Sequence, residues 1–472
     1  METHAQLLEQ APVRALRLRN ADDDALDLHA WYGEFNHFAR YAAYDLDSGE
    51  YDPKKLPKTV ALAPLLALPL VAAVESLDLS WQFDWRWPLD ERPNELARAL
   101  AEATELTSLR ALSLSENPLR SSAAQLLAQA SHLASLRVLD LSETELDDAG
   151  WEAIASAPTF ARLRTLRVGN IGPGGARAIA QSTRLRGLRV LDLRGSGADG
   201  TEGGDAAARA LADAPHRATL RDLRLVASDE GAQAIASARH LASLHTLELR
   251  GNVGRSGAAA LASATHLASL RRLDISRCGE GDGDGIESED AGAIAGARHL
   301  AGLRVLSLSS NAIGDDGASA LARSAHLSSL ETFDLSSNEL GPEAARALSS
   351  SKHLGKLRTL CLRNNSVGDA GAHALAASSS LASLRDVDLS GNGVGTEGAR
   401  ALASSSRLST IASLDLSTNS VGDEGARAFA EASGIGALTS LDPTYNGLTP
   451  VGATTLVSRL DDNDGVLERR SV

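Results

Sequence analysis

Two rhythms of apolar and polar positions alternate along most of the chain. In "LRVLSLSSNAIGDDGASALARSAHLSSL", Leu303 to Leu330, the leucines Leu306 and Leu308 alternate with polar residues, as a strand with one buried face requires. The stretch "GDDGASALARSAHL" then changes to a helical period. It sets Ala318, Leu321, Ala322 and Ala325 on one face, and its Gly and Asp read as an N-cap pair. A strand followed by a helix with small apolar residues predicts one supersecondary unit, the helix lying close on the strand.

That unit recurs. The frame LxxLxL opens at Leu109, Leu136, Leu163, Leu188, Leu220, Leu244, Leu270, Leu303, Leu330, Leu357, Leu384, Ile411 and Leu438, which makes thirteen units. The spacing is 27 residues in the last five steps and irregular in the middle, with intervals of 32 and 33 residues after Leu188 and Leu270. Weaker frames, "VRALRL" at Val13 and "VESLDL" at Val74, precede them. Such periods belong to stacked arrays, in which each repeat buries its apolar face on its neighbours. Asn occupies the ninth place as Asn117, Asn252, Asn311, Asn338, Asn365, Asn392, Asn419 and Asn446, with Thr144, Ser196, Ser228 and Cys278 standing in elsewhere. A side chain that both donates and accepts can serve the backbone of adjacent turns, so a buried polar ladder is expected.

LxxLxLxxN followed by GxxGAxALA closely resembles the leucine-rich repeats of the ribonuclease-inhibitor type, from Leu109 to about Leu460. The resemblance implies an α/β leucine-rich repeat solenoid, a horseshoe with a parallel β-sheet on the concave face and α-helices on the convex face. Scaffolds of this kind usually bind proteins. Residues 1–105 are expected to form an aromatic-rich N-terminal cap with degenerate repeats, 106–460 the solenoid with a C-terminal capping helix, and 461–472 a polar tail. In "LTSLDPTYN" Pro443 removes a ladder donor, which is tolerable only in an edge strand, so the sheet should stop there.

Composition changes this picture in a few ways. Only 3% of 472 residues are aromatic while 43% are hydrophobic, so the core is aliphatic. Five lysines among 46 basic residues fit the codon usage of a GC-rich, bacterial genome. A net charge of -15 with no Lys/Arg run argues against general nucleic-acid or anionic-membrane binding and favours a basic partner. The start lacks a secretory pattern, and "TVALAPLLALPLVAAV" is short and carries two prolines, so a soluble, cytoplasmic protein is expected. Two cysteines, Cys278 and Cys361, make no disulfide framework and no zinc spacing exists.

Candidate chemistry is sparse. Eleven of sixteen aromatics precede residue 88, and "WQFDWRWP" puts Trp81, Phe83, Trp85 and Trp87 into what should be a loop. Core of the cap is the first reading of these rings and protein docking the second. The fifth place of each unit should face the concave side. Signs alternate there from Asp140 through Arg167, Asp192 and Arg224 to Glu248, whereas Asp388, Asp415 and Asp442, with Asp386 beside them, have no cation at that place. Like charges about 5 Å apart repel by roughly 1 kcal/mol in water. This column is either plain solvated surface or a patch for a basic partner.

Seven of the twelve histidines, His132, His216, His240, His266, His299, His326 and His353, precede a repeat's first Leu by four residues. Helix C-termini favour His, which outweighs a metal stripe. "GEGDGDGIESED", Gly279 to Asp290, echoes an EF-hand loop at Asp282, Asp284 and Gly285, but Ile286 comes one place early and Ala291 stands where Glu is needed. It reads as an acidic insertion. No nucleophile, base and orienting group share a motif and no phosphate loop appears, so no enzyme and no cofactor or metal are expected. The expected function is a non-catalytic protein-interaction scaffold. A small-GTPase activator and an inhibitor of a basic enzyme such as a ribonuclease are the alternatives.

Overall fold

The computed structural model describes residues 15–20, 26–28, 66, 69–80, 92–169, 171–195, 201–277, 285–434 and 438–461. Every LxxLxL frame from Leu109 onward supplies a strand, most of them three residues long, whose middle residue is buried. Contacts divide the chain into two units, residues 1–226 and 227–472.

In the first unit β1 (Ala15–Asn20) pairs in parallel with β3 (Ser76–Asp78), so both weaker frames are strands of the same sheet. β2 (Leu26–Leu28) adds an antiparallel edge that the repeat pattern does not announce. Next come β4 (Ala111–Ser113), β5 (Val138–Leu141), β6 (Thr165–Val168), β7 (Val190–Asp192) and β8 (Asp222–Ser228), each parallel to the one before. The second unit repeats this order with β9 (Thr246–Asn252), β10 (Arg272–Asp274), β11 (Val305–Ser307), β12 (Thr332–Asp334), β13 (Thr359–Cys361), β14 (Asp386–Asp388), β15 (Ser413–Asp415) and β16 (Ser440–Asp442). Helices return the chain between parallel strands, as the handedness of such crossovers demands.

The helix of the Leu303 repeat runs from Gly314 to Arg323 and buries Gly317, Ala318, Leu321 and Ala322. Ala325, expected on the same face, is exposed, because the helix stops at Arg323 and a 3-10 turn, Ala325–Leu327, leads to the next strand. Leu327 is the residue that this turn buries. Gly317 permits close helix packing: a Cβ there would lie 2.9 Å from Ser288 Cα of the preceding repeat.

The asparagine ladder is present and buried. Asn338 Nδ2 donates to Leu308 O (2.9 Å) of the preceding repeat and to Ser336 O (3.0 Å), while Asn365 Oδ1 accepts from Asn338 N and Leu340 N, both at 2.9 Å. Asn392, Asn419 and Asn446 continue the scheme. Asn252 departs from expectation: it is exposed, at the end of a longer strand whose Gly251 adopts φ +146°. Ser228 also serves differently, as an N-cap accepting from Glu230 N. Thr144 stays in the core and donates to Leu141 O (2.7 Å).

The helix starts correct the N-cap reading. Asp315 leaves the start of its own helix and accepts Gly341 N (2.7 Å) and Ala344 N (3.0 Å), the free amides of the next helix. Asp369 does the same for Gly395 (2.7 Å) and Gly398 (2.9 Å), and Asp229 for Gly254 and Gly257, both at 2.8 Å. The helix that begins at Arg255 offers a cation in place of this carboxylate, and the following helix caps itself through Glu287 and Asp290. The helices that begin at Arg255, Pro342 and Thr396 thus depend on their predecessors, whereas Asp147 and Ser228 cap their own helices. Asp369→Ala is expected to cost about 1 kcal/mol and to speed amide exchange at Gly395 and Gly398; unchanged protection at both would refute the cross-repeat cap.

Arg217 stands where other repeats place a core Leu and is fully buried. Its guanidinium donates to Ala180 O (2.9 Å) and Ser182 O (3.0 Å) and also reaches Ile179 O, all at the C-terminal end of the preceding repeat's helix Pro173–Gln181, and Leu185 O in the turn beyond it. Burial lowers its pKa to about 10, which still leaves it charged at neutral pH. The helix C-terminus supplies the compensating partial charge. At the far end of the second unit β16 is the last strand, followed at once by Pro443 and by the closing helix Pro450–Asp461. Leu416 N donates to Asp442 O (3.0 Å), so the donor that Pro443 lacks is one for which no further strand follows among the described residues.

Candidate functional site

The residues of the sheet that the helices leave open are those at the third, fifth and seventh places of each repeat. In the first unit Arg167 meets Asp140 at 3.1 Å, and Asp192 holds both Arg194 (2.7 Å) and Arg224 (3.5 Å). The expected neutralisation along the fifth place is therefore present at Asp140–Arg167 and Asp192–Arg224. Other cations take part that the fifth place alone does not reveal. Arg194 comes from the seventh place, and in the second unit Arg272 from the third place meets Glu248 (2.9 Å) and Arg250 from the seventh meets Asp274 (3.2 Å). Burial pushes the Asp192 carboxyl up, but the hydrogen bonds and charge of Arg194, then the charge of Arg224, outweigh it and leave the pKa lowered.

Further along the second unit this relief stops. Asp388, Asp415 and Asp442 are register partners on β14, β15 and β16, about 4.8 Å apart from strand to strand. Asp386, at the third place, lies on the same face, where Thr359 Oγ1 donates to it (3.2 Å). All four are half-buried, and among the described residues no ion pair reaches any of them. A turn after each strand fixes one oxygen: Asp388 Oδ1 accepts from Ser390 N (2.9 Å) and Oγ (2.6 Å), Asp415 Oδ1 from Ser417 N (2.8 Å) and Asp442 Oδ1 from Thr444 N (2.9 Å). Asp388, Asp415 and Asp442 are thus each held in place through one oxygen by the turn that follows their own strand. Burial, and then the charges of Asp388 and Asp442, raise the Asp415 pKa against the pull of Ser417.

The sign of that shift makes a prediction. Folded Asp415 keeps its proton to a higher pH than unfolded Asp415, so it favours the folded state at acid pH, and this contribution is lost as pH rises from the unfolded value near 3.8 through the raised folded value. Asp415→Asn, which preserves the acceptor for Ser417 N, is expected to raise the denaturation midpoint at pH 7 relative to pH 3.5. Equal changes at both pH values would deny the repulsion.

Cys361 occupies the fifth place on β13, the register partner of Asp388. Burial, then Asp334, Asp388 and Asp386, push its thiol up to about 12, which makes it a poor nucleophile. Tyr445, three residues beyond Asp442, is 82% exposed with φ +55°. The sequence reading passed over it, although it is the only aromatic at the eighth place of any frame from Leu109 onward. Trp81, Phe83, Trp85 and Trp87 lie outside the described residues, as do Asp282 and Asp284 of the acidic insertion. Of that insertion's end, Ile286 is buried in the core and Ala291 in the helix Ser288–Gly296, so these residues belong to the repeat.

Six of the seven histidines sit in 3-10 turns after the helices, His353 in a bend, and His132 turns back on the preceding repeat. His132 Nε2 donates to Leu100 O (3.0 Å), and burial holds His299 below the usual histidine pKa. Burial, then Arg239, His299 and His240, hold His266 below the usual histidine pKa. Among the described residues no group of three or more His, Cys, Asp or Glu side chains gathers as a metal ion would need, and no helix is long and apolar enough to cross a membrane.

The leucine-rich repeat family profile matches residues 132–155, 302–322, 326–349, 354–376, 380–403 and 407–430. Six of the thirteen repeats thus match leucine-rich repeats. The chain's parallel strands and returning helices make it an α/β leucine-rich repeat solenoid. No curated protein matches the sequence. Among solved structures, an internalin (inlF) from Listeria monocytogenes is 16% identical and covers 87% of this chain and 94% of its own, with a TM-score of 0.41. Rad7 with Elc1 from yeast is 17% identical over 80% of this chain and 87% of that one, with a TM-score of 0.46. A leucine-rich repeat protein of Leptospira interrogans is 17% identical over 86% and 98%, with a TM-score of 0.41.

Proposed function

We propose that this leucine-rich repeat protein is a non-catalytic scaffold that binds a basic protein partner on the open face of its last strands. The register-aligned column Asp388, Asp415 and Asp442, with Asp386 beside it and no cation paired to it among the described residues, carries the reading. The column tolerates its own repulsion, which a cationic surface would relieve. Exposed Tyr445 supplies the kind of side chain on which binding energy concentrates. Association would be fast and salt-sensitive. The triple substitution Asp388→Asn, Asp415→Asn, Asp442→Asn keeps the shape and removes three charges. It is expected to slow association with an oligo-lysine probe several-fold at low salt, the difference vanishing at high salt. Association at the wild-type rate at every ionic strength would reduce the column to solvated surface.

Trp81, Phe83, Trp85 and Trp87 offer a second docking element on this proposal. Alanine at Trp85 and Trp87 would then abolish partner capture without loss of thermal stability. Activation of a small GTPase and inhibition of a ribonuclease are narrower readings of the same scaffold, each tested by its own assay, GTP hydrolysis or RNA cleavage. No residue described above favours either.

A further inference from the structure

An arginine immediately precedes each of five successive strands of the first unit, β4 to β8. Arg110, Arg137, Arg164, Arg189 and Arg221 hold the second place of five successive frames, and their backbones form one hydrogen-bonded file. Arg137 N donates to Arg110 O and Arg164 N to Arg137 O, both at 2.7 Å; Arg189 N donates to Arg164 O and Arg221 N to Arg189 O, both at 2.8 Å. Neighbouring members are therefore one strand spacing apart, and the file spans about 19 Å at about 4.8 Å per step. All five are exposed, and among the described residues none of them makes an ion pair. Arg164 spends one donor on Gly187 O (2.7 Å) of the next repeat, leaving most of its guanidinium available. The turns entering these strands add Arg162 and Arg186, also exposed.

No stretch of sequence is basic enough to announce this surface, since each arginine comes from a different repeat and only the sheet collects them. A net charge of -15 conceals it further. Stacked cations repel as stacked carboxylates do, and an anionic ligand would relieve the repulsion. Guanidinium groups pair bidentately with carboxylates and phosphates, so the ligand is a polyanion.

We propose that this arginine file is a docking surface for a short acidic segment of another protein, an extended run rich in Asp and Glu. Two features favour this over a nucleic acid. The file is short and set in an acidic molecule, so a long polyanion running past its ends would be repelled. None of the frames that supply the file places an aromatic side chain beside its arginine, and single-stranded nucleic acids are commonly held by stacking on such rings as well as by charge.

The test uses the full chain with two labelled probes, a short poly-glutamate peptide and an oligo-thymidine of similar charge, at low salt and at about 0.5 M salt, where screening acts over roughly 4 Å. The variant Arg110→Gln, Arg137→Gln, Arg189→Gln spares Arg164 and its structural bond. The peptide is expected to bind at low salt, to lose about tenfold in affinity in this variant and to be released at high salt. A variant with Lys at the same three positions should keep most of the binding while an unchanged melting temperature shows both variants folded. Failure of the peptide to bind, binding indifferent to the Gln variant, or tighter binding of the oligonucleotide through the same arginines would each overturn the proposal. The Asp388→Asn, Asp415→Asn, Asp442→Asn protein should still bind poly-glutamate, so failure here and failure of the acidic-column reading are distinct results.

Discussion

Leu308→Ala is expected to lower the unfolding free energy by about 2–5 kcal/mol. Leu308 is fully buried at the sixth place of its repeat, and its backbone is bound on both sides: its N–H donates to Asp334 O (3.0 Å), and its carbonyl accepts Nδ2 of Asn311 and Asn338, each at 2.9 Å. These bonds hold the backbone, so the strand cannot close around the void, and the cavity term adds to the lost transfer energy. In a stack where each repeat touches only its neighbours, the defect also weakens both adjoining interfaces. A urea midpoint that barely moved would mean that the strand frame had been placed on the wrong face.

Asn392→Leu should cost a similar amount for a different reason. The volume is nearly kept, but Val367 N is left without its acceptor at 3.2 Å, and Leu362 O and Ser390 O each lose one of two donors, at 2.8 and 3.1 Å. An unpaired buried N–H costs about 1–3 kcal/mol and each lost hydrogen bond about 1 kcal/mol. Asn252→Leu provides the control, because that asparagine is exposed: its effect should stay within about 0.5 kcal/mol. If the two substitutions had equal effects, the ladder would not be what stabilises the turns.

The repeat frame was legible in the sequence because its signals agree: alternating leucines, a ninth-place Asn and an alanine-rich helical face all demand the same packing. The column of Asp388, Asp415 and Asp442 was legible too, since register follows directly from equal repeat lengths. Elsewhere the same reasoning ran short. It placed Ala325 on the helix because a period carries no stop signal of its own, whereas Ser324 ends the helix and caps the turn. It assigned Asp315 to its own helix because capping rules look along one chain segment, and the amides it serves lie 26 and 29 residues away. It missed Arg194, Arg250 and Arg272 because only the fifth place was followed, although guanidiniums at the third and seventh places are long enough to reach it. The arginine file stood in plain view as the R of "LRALSL", "LRVLDL" and "LRTLRV". What hid it was attention to runs, when the sheet builds its surfaces from columns.

The forward-reaching aspartates have a consequence for how such a chain can lengthen or shorten. Asp315, Asp369 and Asp423 each serve the helix that follows, at Gly341, Gly395 and Thr449, and those following helices begin with Pro342, Thr396 and Pro450 and carry no such aspartate. Donor and recipient repeats alternate. Loss of one repeat would strand either a carboxylate without amides or a helix start without a carboxylate; loss of two in succession would restore the sequence of partners. Duplication and deletion in this lineage are therefore expected to proceed in even steps, and the self-capped helix at Ser288–Gly296, following Arg255, is the joint at which the counting can begin afresh.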